Sequence, residues 1–150
     1  MKKRFGVRIF VVMALVSAVV GGLLTPIGTE AAKNVADANW YAEYFSNPSL
    51  QGGPTLTRYE KALNFEWGTG SPGSGIPADN FSARLTRDEW FGGGTHRFSY
   101  RSDDGIRVWV SDALVIDAWH DGPATWRYVD YQIPSGVHRV RIEYYDRTGA

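Results

Sequence analysis

Two aspartates stand side by side in "SDDGIRVWV", residues 102–110, at the mouth of a run that reads as a buried β-strand. Adjacent carboxylates suit a hard divalent cation such as calcium, which takes about six to eight oxygen ligands and needs its charge cancelled. In an extended backbone neighbouring side chains point to opposite faces, so Asp103 and Asp104 share a partner only where the chain bends between them. Gly105 frees the backbone just after the pair. Ser-Asp-Asp-Gly is equally an ordinary turn, because Asp and Gly favour turns for local reasons. Composition leaves both readings open.

Catalytic constellations find little support. His96 and His138 fall on strand-like runs and His120 stands alone in a loop. There is no H-x-x-x-H spacing and no cysteine to argue for zinc. No G-x-S-x-G elbow supports acyl transfer. "GTGSPGSG" lacks the lysine and the following helix of a phosphate loop. Glu43, Glu66, Glu89 and Glu143 supply carboxylates of the kind a glycosidase needs in a pair, but Glu66 and Glu143 read more simply as polar-face strand residues. The chain is expected to be non-catalytic.

The elements that must position the Asp pair are strands. No window of a dozen residues shows helical apolar spacing. Short aromatic and β-branched runs alternate with clusters of Gly, Pro, Asn and Asp, the pattern of an all-β sandwich or barrel. The runs are "WYAEYF", "TLTRY", "LNFEW", "FSARLTRDEWF", "THRFSYRS", "IRVWV", "LVIDAW", "TWRYVDYQI" and "VHRVRIEYY". Residues 68–80 are too rich in Gly and Pro to be a strand. The triple glycine 92–94 is expected to close one strand, and "PSG" at 134–136 to turn the chain between two others. In the last run Val140, Ile142 and Tyr144 fall on one face and Arg139, Arg141 and Glu143 on the other, a sheet with one dry and one wet side. About eight strands with short connections predict an antiparallel β-sandwich.

The N-terminus reads differently. Lys2, Lys3, Arg4 and Arg8 precede an apolar run over residues 9–24, followed by the small-residue patch "TEAAKNVADA". That is the order of a signal peptide, with cleavage expected after Ala31 or Ala38. The run is short of the ~20 residues of a comfortable membrane span; an uncleaved anchor is the alternative. Residues 1–38 are thus set aside as signal peptide and linker, leaving one domain over residues 39–150. The whole chain carries 16 basic and 16 acidic residues, and loss of the signal leaves the remainder near −3. No basic stripe remains, so nucleic acid is not an expected partner, nor is a membrane span expected after cleavage. Without cysteine the exported domain must stand on its apolar core or on a metal. All six tryptophans and all eight tyrosines lie beyond residue 38 and can supply that core.

"WGTGSPGSGIPADNFSARLTR", "GTHRFSYRSDDGIRVWVSDALVIDAWHDG" and "SGVHRVRIEYYDRTG", in this order and spacing, resemble the PA14 domain family, from about Trp40 to the last residue. The resemblance implies a β-sandwich used for carbohydrate binding or for accessory and structural work beside other domains. In the adhesin members an Asp-Asp pair joined by a cis peptide bond ligates calcium, and the ion binds sugar hydroxyls; Asp103 and Asp104 fall on that motif. Further ligands come from later loops at the same end of the sandwich, which implies Asp146 as a third metal ligand. Its plainer reading is a solvated charge at a strand end. The family usually continues with one more strand, and its lack would leave a sheet edge unpaired.

Two other places are candidates for the ligand itself. In "DAWHDG", Trp119 can stack on the apolar face of a pyranose, and His120 and aspartate can hydrogen-bond its hydroxyls. The alternatives are a core ring and a plain loop residue. Asn80, before "FSARL", is either a loop ligand or a turn residue. The sequence therefore predicts an exported module, secreted or at the cell surface, that binds glycan or cell-surface carbohydrate with calcium as cofactor. The competing readings are a structural or protein-interaction module of a cell-envelope protein, and an accessory domain of a secreted glycan-active enzyme.

Overall fold

A computed structural model describes residues 8–14 and 39–148. Most of the expected signal peptide, with both expected cleavage points, lies outside the described residues. Eight strands are described: β1 (Arg8–Ala14), β2 (Trp40–Phe45), β3 (Leu56–Glu60), β4 (Asn64–Glu66), β5 (Phe81–Arg101), β6 (Ile106–Val110), β7 (Ala113–Ala118) and β8 (Arg127–Asp146). All pairings are antiparallel, in the order β3-β2-β5-β8-β6-β7, and β1 sits between β4 and the C-terminal half of β5.

The expected alternation sets the core. Ile106, Val108 and Val110 are buried together on β6, as are Phe98 and Tyr100 on β5 and Val140, Ile142 and Tyr144 on β8. One cluster unites these with Trp40, Tyr44, Phe65, Phe81, Leu85 and Ile133, so side chains from both ends of the long strands share one apolar interior. Rings dominate it near the tip: Trp67 stacks on Phe65 at 5.1 Å and meets Phe81 edge-on at 5.3 Å. In a chain without cysteine, such ring pairs supply stability beyond their buried area.

Two expected breaks are not breaks. β5 runs through the triple glycine and β8 through "PSG", giving strands of 21 and 20 residues. The reason is their register: Gly92 pairs with Ser135 and Phe91 with Gly136, so the two turn-prone segments face each other across one ladder. Pro134, which has no N–H to donate, falls opposite Gly93, where the ladder skips a pair. Both strands run on through this point instead of ending. Gly93 has φ +81°, and a Cβ on it would lie 3.2 Å from the Ser135 amide nitrogen. Gly93→Ala is therefore expected to cost about 1–2 kcal/mol for the left-handed backbone alone, read as a lower midpoint in urea unfolding with unchanged slope.

The wet face of β8 is less wet than its sequence suggests. Glu143 is buried, with the Arg84 and Arg141 guanidinium groups 3.3 and 3.8 Å from its Oε1. Tyr145 is 5 % exposed because it lies over Gly105 and against Trp119.

Candidate functional site: the acidic tip and its cleft

The site is built where β6 begins and β8 ends. Ile106 pairs with Tyr144 and Phe81 with Asp146, so the loop before β6, the end of β8 and the start of β5 meet at one tip. Backbone bonds from Asp104 N to Tyr145 O (3.3 Å) and from Tyr145 N to Gly105 O (3.0 Å) continue the ladder past the last pair of β6. The Asp103–Asp104 peptide bond is cis, the arrangement the resemblance implies.

Asp104 is buried, 9 % exposed. Its Oδ1 accepts from the Gly122 amide (3.2 Å) and its Oδ2 from the Arg147 amide (2.9 Å). These bonds tie two other segments, the loop after β7 and the residue after β8, to one carboxylate and leave it further lone pairs. The Tyr144 hydroxyl donates to the Asp103 carbonyl oxygen and lies 3.5 Å from Asp146 Oδ2. Asp146 is 3 % exposed, and its Oδ1 is buried with no hydrogen-bond donor among the described residues. The solvated strand-end reading of Asp146 fails on that burial.

The electrostatics follow from crowding. Burial, then the negative charges of Asp104, Asp79 and Asp103, push the Asp146 carboxyl up to about 7. Burial, then the charge of Asp104, raises Asp103, while Arg101 opposes the shift. Burial, then the charges of Asp146, Asp103 and Asp104, raises the Tyr144 hydroxyl. A buried oxygen without a donor and mutually repelling hard-oxygen groups suit a hard cation. At their present spacing no three His, Cys, Asp or Glu side chains among the described residues form a cluster that holds a metal ion.

Beside the tip lies a cleft of about 770 Å³ whose walls include Arg84, Arg107, Trp119, His120, Tyr145 and Arg147. A smaller hollow of about 140 Å³ reaches Asp104, and His120 and Asp121 border both. Asp121 is the hinge between cleft and tip: its Oδ1 accepts from the Tyr145 hydroxyl at 2.6 Å and its Oδ2 lies 3.5 Å from an Arg147 guanidinium nitrogen. Trp119 is half-buried, with the Arg107 guanidinium 4.5 Å from its ring centre and Tyr145 edge-on at 4.7 Å. It is neither a core ring nor a bare platform. His120 is exposed, with Nδ1 3.1 Å from the Asp121 carbonyl oxygen.

The structure thus brings Asp103, Asp104 and Asp146 together and places Trp119 and His120 on the adjoining cleft. Asn80 is exposed at φ +60°, a turn conformation that Asn tolerates. Its neighbour Asp79 is the group whose charge reaches Asp146. Sequence reasoning offered the aspartate of "DAWHDG" only as a hydroxyl partner, and missed Asp79, Tyr144 as a site group, and the Gly122 and Arg147 amides. The one local signal was the acid in "PADN", one residue before the asparagine that was chosen.

An antiparallel β-sandwich with an acidic pair at its tip is the class these features define. The chain belongs to the PA14 domain family, which residues 36–150 match. It is 29% identical over 120 residues to the anti-sigma-I factor RsgI3 of Acetivibrio thermocellus, covering 79% of this chain and 18% of that protein. The solved structure of an anti-sigma factor domain-containing protein is also similar, with a TM-score of 0.68 and 29% identity over 75% of this chain and 40% of the other. The chain therefore spans well under half the length of these relatives. A structure described as a PA14 sugar-binding domain from an RTX adhesin has a TM-score of 0.55 at 20% identity, over 75% of this chain and 85% of that one, a likeness of fold. Among the described residues no helix is long and apolar enough to cross a membrane.

Proposed function

We propose that this chain is an exported, non-catalytic carbohydrate-binding module, secreted or at the cell surface, which engages glycan with the help of calcium. The observation that carries this is Asp146: a buried carboxylate oxygen without a donor, beside two more aspartates whose charges oppose its ionisation. Asp103, Asp104 and Asp146 would hold the ion. Calcium would supply open positions for vicinal hydroxyls. Trp119, His120 and the guanidinium groups of Arg107 and Arg147 would contact the rest of the sugar in the adjoining cleft, a shape and lining suited to a small polar ligand. Arginines already paired with carboxylates, as Arg107 is with Asp117 at 3.2 Å, present polar groups without a large net charge; this fits hydroxyl-rich ligands.

Thermal unfolding in rising calcium tests the metal half. Binding to the native state alone raises the melting temperature. The wild type is expected to rise, and Asp103→Asn to lose the rise. Asp103 is the better probe because both oxygens of Asp104 anchor backbone amides. A wild-type melt that calcium leaves unmoved sinks the metal. Glycan-array binding with and without chelator then reads sugar recognition directly.

A second reading, a structural or interaction module working beside other domains, is favoured by the likeness to anti-sigma factor proteins over only 18% and 40% of their lengths. It predicts no calcium-dependent rise and no array signal.

A further inference from the structure

Leu50 holds a backbone conformation that a bulky residue rarely adopts, with φ +58°. The loop around it is tied down on both sides. Asn47 Oδ1 accepts from the Ser49 and Gln51 amides, both at 3.1 Å, and its Nδ2 donates to the Gln51 carbonyl oxygen at 2.9 Å. The fully buried Ser82 hydroxyl accepts from the Leu50 amide at 3.1 Å and donates to the Asn47 carbonyl oxygen at 2.6 Å. Left-handed backbone is unfavourable for an L-residue, and it persists where the surroundings fix it. Core packing does not explain why a leucine stands there. Among the described residues, the half-buried apolar side chains packed against the core cluster are Leu56, Trp67, Val115, Val129 and Tyr131, and Leu50 is not one of them. It lines the cleft instead, as does Pro48.

We propose that Pro48 and Leu50 form an apolar wall of the cleft that selects sugars carrying a methyl group, on an acetamido substituent or at a deoxygenated carbon. This rests on the carbohydrate reading of the cleft, and every group it uses is among the described residues.

The strand order divides the cleft into two kinds of surface. Arg84, Glu143 and Arg107 fall in one register row across β5, β8 and β6. The loop of Pro48 and Leu50 follows β2 and stands on the β5 side of that row; Trp119, His120 and Asp121 follow β7 and stand on the β6 side. The row and its β6 side offer guanidinium, carboxylate and imidazole groups, donors and acceptors for hydroxyls. The β5 side offers hydrocarbon, since the Ser49 hydroxyl between Pro48 and Leu50 donates to Asn47 Oδ1 at 3.0 Å. A sugar hydroxyl turned to that side loses water and gains no partner, which is unfavourable. A methyl group turned to it loses water and gains contact, which is favourable. Burying one methyl group there strengthens binding roughly three- to tenfold.

Calorimetric titration in calcium tests this with two matched pairs of sugars, N-acetylglucosamine against glucose and D-fucose against D-galactose. In the wild type the methyl-bearing member of a pair is expected to bind roughly three- to tenfold tighter, and the pair that shows it assigns the group as acetamido or deoxy. Leu50→Asn keeps a side chain of similar size, tolerates positive φ and replaces hydrocarbon by an amide. It is expected to cut the preference to within about twofold while melting no lower than wild type. Leu50→Gly asks the same question without a side chain, and decides it if the asparagine variant does not fold. A wild type that binds these sugars without preference, or a preference that the variants keep, overturns the wall and leaves the carbohydrate reading standing. So does array binding confined to glycans that carry no methyl group. Two variants that both melt well below wild type assign Leu50 to folding and overturn the wall as well. A wild type that binds neither pair nor any glycan on the array overturns the carbohydrate reading itself, and the wall with it.

Discussion

Gly105→Ala is expected to destabilise the domain by about 3 kcal/mol or more, at the upper end of overpacking effects, and to disorganise the acidic tip. A Cβ on Gly105 would lie 2.1 Å from Tyr145 Cε1 and 2.8 Å from two further atoms of the same ring. The ring cannot simply withdraw. Its hydroxyl donates to Asp121, its ring packs against Trp119, and its backbone exchanges bonds with Asp104 and Gly105. Any relief therefore pulls on the Asp103–Asp104 segment or opens the cleft. In a domain of this size the melting temperature should fall by roughly 10–20 °C. Tyr145→Leu in the same background removes ring atoms and should recover part of the loss, giving a coupling energy of about 1–3 kcal/mol in a double-mutant cycle. A single variant that melts within a degree or two of wild type would show that the ring does not rest on this glycine.

That glycine also marks the limit of what the chain alone discloses. The sequence points to Gly105 as a release of backbone constraint after two aspartates. Its φ lies outside the left-handed region, and its role is to leave room for a ring 40 positions away. The strands themselves were legible, because alternation in "IRVWV" and "VHRVRIEYY" is a local property that burial obeys. The run of both strands through Gly93 and Gly136 was not, since Gly and Pro end most strands and only the cross-strand register shows that two such segments face each other. The tip divides the same way. Asp103 and Asp104 are adjacent and could be read directly. Asp79, Asp121, Tyr144 and the amides of Gly122 and Arg147 converge from two loops and the end of β8, and their meeting depends on the pairing of Phe81 with Asp146 and Ile106 with Tyr144. Residues 8–14, read as the start of an export signal, are paired as a strand here; an apolar run carries the same composition in either role.

Asp146→Asn is expected to stabilise the calcium-free domain at pH 8 and to weaken the calcium-loaded one relative to wild type. The folded carboxyl is pushed up to about 7 from an ordinary 3.8, by burial and then by Asp104, Asp79 and Asp103. Between these values the folded chain holds a proton that the unfolded chain lacks, so this group's contribution is full below pH 3.8, falls as pH rises, and levels off above about 7. The span corresponds to on the order of 4 kcal/mol at most, lost between acid and neutral pH without a cation. Asparagine has nearly the same shape and no charge. The variant should therefore match the wild type near pH 4 and exceed it by about 2–4 kcal/mol at pH 8 in chelator. Calcium reverses the order by favouring the ionised trio: at about a hundred times its dissociation constant it adds about 2.7 kcal/mol to the wild type, while the variant, short of one anionic ligand, should gain far less. Urea midpoints at pH 4 and pH 8, with chelator and with calcium, read all four corners of this comparison. A variant that is less stable than wild type in chelator at pH 8 would mean that Asp146 is ionised and satisfied in the resting tip, and the case for a cation there would lose its electrostatic basis.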